Sequence, residues 1–397
     1  MITLKDIQEA RKNLVPFIHK TPLIYSNSLS NLSGAEVYLK LENLQKTGSF
    51  KVRGAFNKMS HVSADRVIAA SMGNHAQAVA FAAQKLGKHA QIIMPLTAPI
   101  IKEEATRGYG AEVNLVGERF SEALEYALSQ KESTFIHPFD DDLVIAGQGT
   151  IGVEIYEDLR EINAVFVPVG GGGLVAGLAA ALKALSPRTA VIGVQAESAP
   201  AAALSFKDKK IEDRVPLLTI ADGIAVNRPG EKTFELILRC VDDMVLVSEE
   251  RIAMSILLFL ERKKLVVEGA GAAPLAAFME MKDRYRNQRV VLVVSGGNVD
   301  FTIMDRIIRK GLGTSGRIGI IEVTIDDIAG SLHKVTGILA ARRANVLDII
   351  HDRLSGGLPY GKAKVIVTVE IRGKQHLDQI IMGLEAEGYE ARERAGI

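Results

Sequence analysis

Residues 164–182 carry no charged side chain, a run long enough to cross a bilayer as a single helix. Pro168 and four consecutive glycines, Gly170, Gly171, Gly172 and Gly173, interrupt its middle. Inside a helix each glycine costs roughly 1 kcal/mol relative to alanine and a proline about 3 kcal/mol. The run therefore divides into a buried strand at 165–169, a glycine turn, and a helix at 174–185. This excludes a membrane span. A strand without a polar face must be covered on both sides, which requires a sheet enclosed by helices. The same alternation recurs along the chain. Strands are expected at 67–71, 91–94, 113–116, 191–194 and 290–294, and helices at 74–86, 99–107, 118–129 and 248–263. The fold class is α/β with a largely parallel sheet, whose ligands bind beyond the carboxyl ends of the strands.

The 397 residues are 47% hydrophobic and 24% charged, enough apolar material for a core with a buried active site. Basic and acidic side chains nearly cancel, 48 against 47, so no nucleic-acid or anionic-membrane partner is expected. Cys240 is the only cysteine, which rules out an intrachain disulfide and a multi-cysteine metal site. Lys5 and Asp6 stand where a signal peptide needs its apolar core, so the expected location is the cytoplasm.

Gly311, Gly313, Gly316 and Gly319 interrupt the pattern near 310–319. Beyond them the order changes to strand 320–325, a helix face of Leu332, Val335 and Leu339, strands 346–350 and 363–370, a helix face of Leu377, Ile380, Ile381 and Leu384, and a last strand at 389–394. That order is a ferredoxin-like α+β unit.

Four segments carry candidate chemistry. Lys51 lies between Phe50 and Val52 at the start of a helix, where partial desolvation would lower its pKa and favour the free amine needed for covalent catalysis. Ser71-Met72-Gly73-Asn74-His75 ends a strand and opens a helix; its amides suit a carboxylate, although local evidence alone favours an ordinary cap by Ser71 or Asn74. The four glycines, between strand and helix, can wrap a phosphate with successive amides. They also fit a dinucleotide fingerprint through Gly171, Gly173 and Ala176, with Glu197 as the ribose-binding acid, so a nicotinamide-dependent dehydrogenase is a rival reading. Ser295-Gly296-Gly297-Asn298 follows a continuous apolar strand and lets a flat ligand approach closely, or simply makes a turn.

In this order the four segments resemble the pyridoxal-phosphate enzymes of fold type II, the tryptophan synthase β family, and within them the threonine dehydratases. The resemblance implies two open parallel-sheet α/β subdomains over 1–316, the smaller (roughly 50–145) inserted in the larger, and a regulatory unit at 317–397 that looks like an ACT domain. It implies that Lys51 binds the cofactor covalently and acts as the base at the substrate's Cα, and that Phe50 packs near the cofactor ring. Asn74 would bond the cofactor's phenolic oxygen, and Ser295 its ring nitrogen. Gly170, Gly171, Gly172 and Gly173 would form the phosphate cup, which favours a phosphate monoester over a dinucleotide. Ser71, Gly73, Asn74 and His75 would hold the substrate carboxylate. In the C-terminal unit Asp327, Gly330 and Leu332 would lie at an amino-acid effector site.

The implied reaction is β-elimination from L-threonine, and from L-serine, releasing ammonia and a keto acid. A neutral Ser295 makes the ring a weaker electron sink than a carboxylate would, which favours elimination over transamination. No side-chain acid for the leaving hydroxyl is evident near the motifs, and the cofactor phosphate is the expected donor. A serine racemase or serine dehydratase of the same fold is the nearest alternative. Met72 argues against racemisation, because a thioether cannot donate a proton on the opposite face of Cα. A metal site at Glu197 is not expected, since Ala203 stands at the likely place of a second acid. The chain is expected to assemble as a homodimer or homotetramer. A non-catalytic amino-acid sensor is the rival of a different class, opposed by the intact Lys51, glycine loop and Ser295.

Overall fold

The computed structural model describes residues 2–354 and 358–394, and the chain divides into two compact units, Met1–Val299 and Asp300–Ile397. In chain order the strands of the first unit are β1 (Leu23–Tyr25), β2 (Glu36–Leu41), β3 (Arg66–Ala70), β4 (His89–Met94), β5 (Glu112–Leu115), β6 (Thr134–Phe135), β7 (Ala164–Pro168), β8 (Ala190–Ala196), β9 (Asp243–Val247) and β10 (Arg289–Val294). They form a six-stranded sheet, β1-β2-β10-β7-β8-β9, and a four-stranded sheet, β5-β4-β3-β6. Every neighbouring pair is parallel except β1 with β2. All of the smaller sheet falls between β2 and β7 in sequence.

The apolar runs behave as their composition requires. All five residues of β7 are buried, and in β10 only Arg289 is not. Completely burying a Val, Leu or Ile is worth roughly 1.5–3 kcal/mol, so these central strands dominate the core. Helices Asp142–Asp158 and Gly173–Leu185 cross with their backbones almost touching. A Cβ on Gly177 would stand 2.2 Å from the Ile145 carbonyl oxygen. This crossing fixes where the second helix begins, and hence where the four-glycine loop lies.

The helix expected over 248–263 is α-helical only through Glu249–Leu258. It widens into a π-turn over Phe259–Lys263 and ends at Lys264 in the left-handed region, φ 58°. Residues 265–268 then leave the helix, the Val266 carbonyl accepting from Asn43 Nδ2 at 3.1 Å.

The second unit contains helix Phe301–Thr314, β11 (Ile318–Asp326), helix Ser331–Ala341, β12 (Asn345–Asp352), β13 (Lys362–Glu370), helix Lys374–Ala386 and β14 (Glu390–Glu393). The sheet order β12-β13-β11-β14 is antiparallel throughout, a ferredoxin-like topology. Alternate residues of β11 and β13, among them Ile321, Val323, Ile325, Val365 and Val367, pack on Val335, Leu339 and Ile380. The division between units falls before helix Phe301–Thr314, earlier in the chain than the glycine cluster suggests. Among the described residues no helix is long and apolar enough to cross a membrane.

Candidate active site

The candidate residues come from the carboxyl ends of parallel strands. Ser71 follows β3, the glycine loop follows β7, and Ser295 follows β10. The segment bearing Lys51 is tied to the last of these. Ser49 bridges to Gly296, Phe50 N–H donates to the Ser295 carbonyl at 3.1 Å, and Gly297 N–H donates to the Gly48 carbonyl at 2.9 Å.

Lys51 opens helix Lys51–Ser60, and a wholly buried ionic cluster anchors that helix. Arg53 bonds both oxygens of Glu42 at 2.8 Å and both of Glu154 at 2.7 and 3.0 Å. Lys40 completes the set on Glu154 at 2.5 Å. Burial opposes the Arg53 charge, but Glu42 and Glu154 outweigh it and raise its pKa. Two cations and two anions balance, so the cluster fixes the helix start without leaving a net buried charge.

The Lys51 amine donates to the Pro138 carbonyl at 3.0 Å and lies 5.3 Å from the centre of the Phe50 ring. Burial pushes it down to about 8, against a smaller opposing pull from Glu268. About a tenth of the amine is thus unprotonated at pH 7. The next residue, Phe139, packs on the glycine loop, where a Cβ on Gly171 would come within 2.4 Å of its ring. Pro138 and Phe139 therefore bring the amine and the loop together.

Gly171, Gly172 and Gly173 are buried, and added Cβ atoms would strike Phe139, Thr233 or Ile237. Gly172 is also left-handed, φ 95°. Among the described residues the amides of all four glycines donate to no protein acceptor. With the helix start behind them they could hold an anion. Ser49 Oγ, also buried, has no hydrogen-bond partner among the described residues. An amine of lowered pKa beside an anion-binding loop fits an aldehyde that carries a phosphate.

At the opening of helix Asn74–Leu86, Gly73 N–H donates to Ser71 Oγ at 3.2 Å, and the amides of Asn74 and His75 have no protein acceptor among the described residues. Two such amides at a helix start can receive an anion. The His75 side chain is turned elsewhere, its Nε2 lying 2.8 Å from the Ile136 carbonyl oxygen, and burial pushes it down to about 3. His75 thus offers a ligand its backbone and not its imidazole. Met72 is partly buried and packs on the core of the smaller subdomain.

Sequence reasoning missed Glu268. It is 4% exposed, and both carboxylate oxygens accept from Asn74 Nδ2 at 3.0 Å. Asn298 Nδ2 donates to Asn74 Oδ1 at 2.8 Å, so the Asn74 amide is held from both ends. Burial pushes Glu268 up to about 7, with Asn74 opposing. Folding brings Glu268 to Asn74 from 194 residues away. A signal was present: Glu268 is the only charge between Lys264 and Glu280, and glycine follows it.

Glu197 is exposed, and among the described residues no group of three or more His, Cys, Asp or Glu could hold a metal. In the C-terminal unit Arg353 Nε donates to Asp327 Oδ1 at 2.9 Å, Gly330 is left-handed at φ 91° before helix Ser331–Ala341, and Leu332 packs on the core.

Comparison with known proteins agrees with this geometry. The model of the family described as pyridoxal-phosphate dependent enzyme matches residues 14–296. An L-threonine ammonia-lyase of Thermotoga maritima is 49% identical over 99% of each chain. The processed form of threonine deaminase isoform 2 from Solanum lycopersicum superposes with a TM-score of 0.73 at 38% identity, covering 77% of this chain and 93% of that one. Serine racemase from Dictyostelium discoideum gives 0.71 at 37%, covering 75% and 99%. The chain belongs to the pyridoxal-phosphate-dependent enzymes of fold type II.

Proposed function

We propose that this chain is an L-threonine ammonia-lyase that converts L-threonine to 2-oxobutanoate and ammonia, and L-serine to pyruvate and ammonia. The observation that carries the reading is the Lys51 amine, lowered in pKa and bonded to Pro138 beside the four-glycine loop. Similarity to an L-threonine ammonia-lyase along 99% of the chain, C-terminal unit included, supports the substrate.

Lys51 and the amides of Gly170, Gly171, Gly172 and Gly173 would hold pyridoxal phosphate, with Phe50 against its ring and Ser295 at the ring nitrogen. When bound, the cofactor withdraws electrons from the substrate's Cα and stabilises the charge left by its proton. Lys51, partly neutral near pH 7, takes that proton. The Asn74 and His75 amides hold the substrate carboxylate and so orient the Cα–H bond toward the lysine. Glu268 and Asn298 hold the Asn74 amide, which would bond the cofactor's phenolic oxygen. Met72 offers no proton to the face opposite Lys51, which favours elimination over racemisation.

The ferredoxin-like unit is read as an ACT-type regulatory domain of a homo-oligomer, with Asp327, Gly330 and Leu332 at the effector site and isoleucine the first effector to test. Keto-acid release from threonine, serine and other amino acids, with and without isoleucine, tests the whole reading. Production of D-serine without keto acid would transfer it to a racemase. Effector binding with no turnover of any amino acid would make the chain a sensor.

A further inference from the structure

The segment Ile136-His137-Pro138-Phe139-Asp140-Asp141 links the parts of the site to one another. The Ile136 carbonyl faces the His75 imidazole at 2.8 Å, and the Pro138 carbonyl accepts from the Lys51 amine. Phe139 packs on Gly171 and Gly173. Asp140 accepts from the amides of Glu231, Lys232 and Thr233 at 3.1, 2.9 and 3.1 Å, and Thr233 Oγ1 donates to the Gly171 carbonyl at 2.6 Å. The lysine, the helix that opens at Asn74 and the glycine loop all contact this one turn.

A single side chain closes the turn. His137 Nδ1 accepts from the amides of Phe139 at 3.3 Å and Asp140 at 2.8 Å. Two donors on Nδ1 require its lone pair there, so the neutral ring carries its proton on Nε2. The ring meets Phe139 edge-on, 4.7 Å between centres at 90°.

We propose that His137 is a positioning residue, whose Nδ1 lone pair shapes the turn that aims the Pro138 carbonyl at Lys51 and seats Phe139 and Asp140 against the glycine loop and its supporting helix. This rests on the reading that Lys51 and the glycine loop hold pyridoxal phosphate. Asparagine places an acceptor where Nδ1 stands, phenylalanine keeps a ring without an acceptor, and glutamine places its acceptor one bond farther out.

The test titrates pyridoxal 5'-phosphate into cofactor-free full-length protein and follows the visible absorbance. The melting temperature of the cofactor-free protein is measured in parallel. Affinity in His137→Asn is expected within about threefold of wild type, and in His137→Phe lower by about tenfold or more, since two amides lose their acceptor. Should His137→Phe not fold, His137→Gln replaces it, with the same loss expected. Equal affinity in all variants, or a loss in His137→Asn as large as in His137→Phe, overturns the proposal. Wild-type protein that takes up no pyridoxal phosphate would refute the cofactor reading itself.

Discussion

Replacing Glu268 by glutamine keeps the shape of the side chain and its ability to accept from Asn74, but removes the titratable proton. The native carboxyl titrates at about 7, against an ordinary value of 4.5, because it is buried. At about 1.4 kcal/mol per pH unit the difference amounts to about 3 kcal/mol. The native state holds the proton more tightly than the unfolded chain. Between pH 4.5 and 7 the unfolded chain releases it first, and wild-type stability falls across that window as pH rises. Glutamine suffers no such loss. The Glu268→Gln protein should match wild type near pH 4.5 and gain on it steadily, reaching an advantage of about 3 kcal/mol above pH 7. In a unit of this size each kcal/mol moves the melting temperature by roughly 2 °C, so the expected difference is about 6 °C. Melting curves of the two cofactor-free proteins from pH 4.5 to 8.5 measure it. A difference that stays constant with pH would refute a buried, proton-holding carboxyl at this position.

Arg53→Met leaves Glu42 and Glu154 buried with fewer counter-charges and should cost about 3–5 kcal/mol, read by chemical denaturation. Gly171→Ala drives a Cβ into the Phe139 ring; overpacking of about 1–3 kcal/mol at the glycine loop should weaken pyridoxal phosphate binding about fivefold or more, read by absorbance titration. Ending the chain after Gly316 should leave keto-acid release intact and abolish any isoleucine response; an unchanged dose–response curve would dismiss the regulatory reading.

The sequence showed most plainly what is local. The glycine loop, the Lys51 segment and Ser295 each combine strand end, turn and helix start within a few residues, and the strand–helix alternation that frames them depends only on neighbouring side chains. The same holds for the C-terminal unit, where β11 and β13 alternate buried and more exposed residues along their length. Glu268 and His137 were not read, because their roles arise from pairings across the fold. Glu268 is defined by Asn74, and His137 by what its turn delivers to Lys51 and Gly171. His75 belongs to both kinds: its amide lies in the local motif, while its ring meets the Ile136 carbonyl, 61 residues away in sequence. The break of the long helix at Phe259 escaped for another reason, since its residues are ordinary helix formers and only the return of the chain to the site requires the wider turn.

The central claim concerns one amine. Protein loaded with pyridoxal phosphate and reduced with borohydride should carry the cofactor irreversibly on a single peptide, the one containing Lys51, and Lys51→Ala should show neither the label nor the visible absorbance. A label on any other lysine, or undiminished absorbance and keto-acid release in Lys51→Ala, would contradict the account.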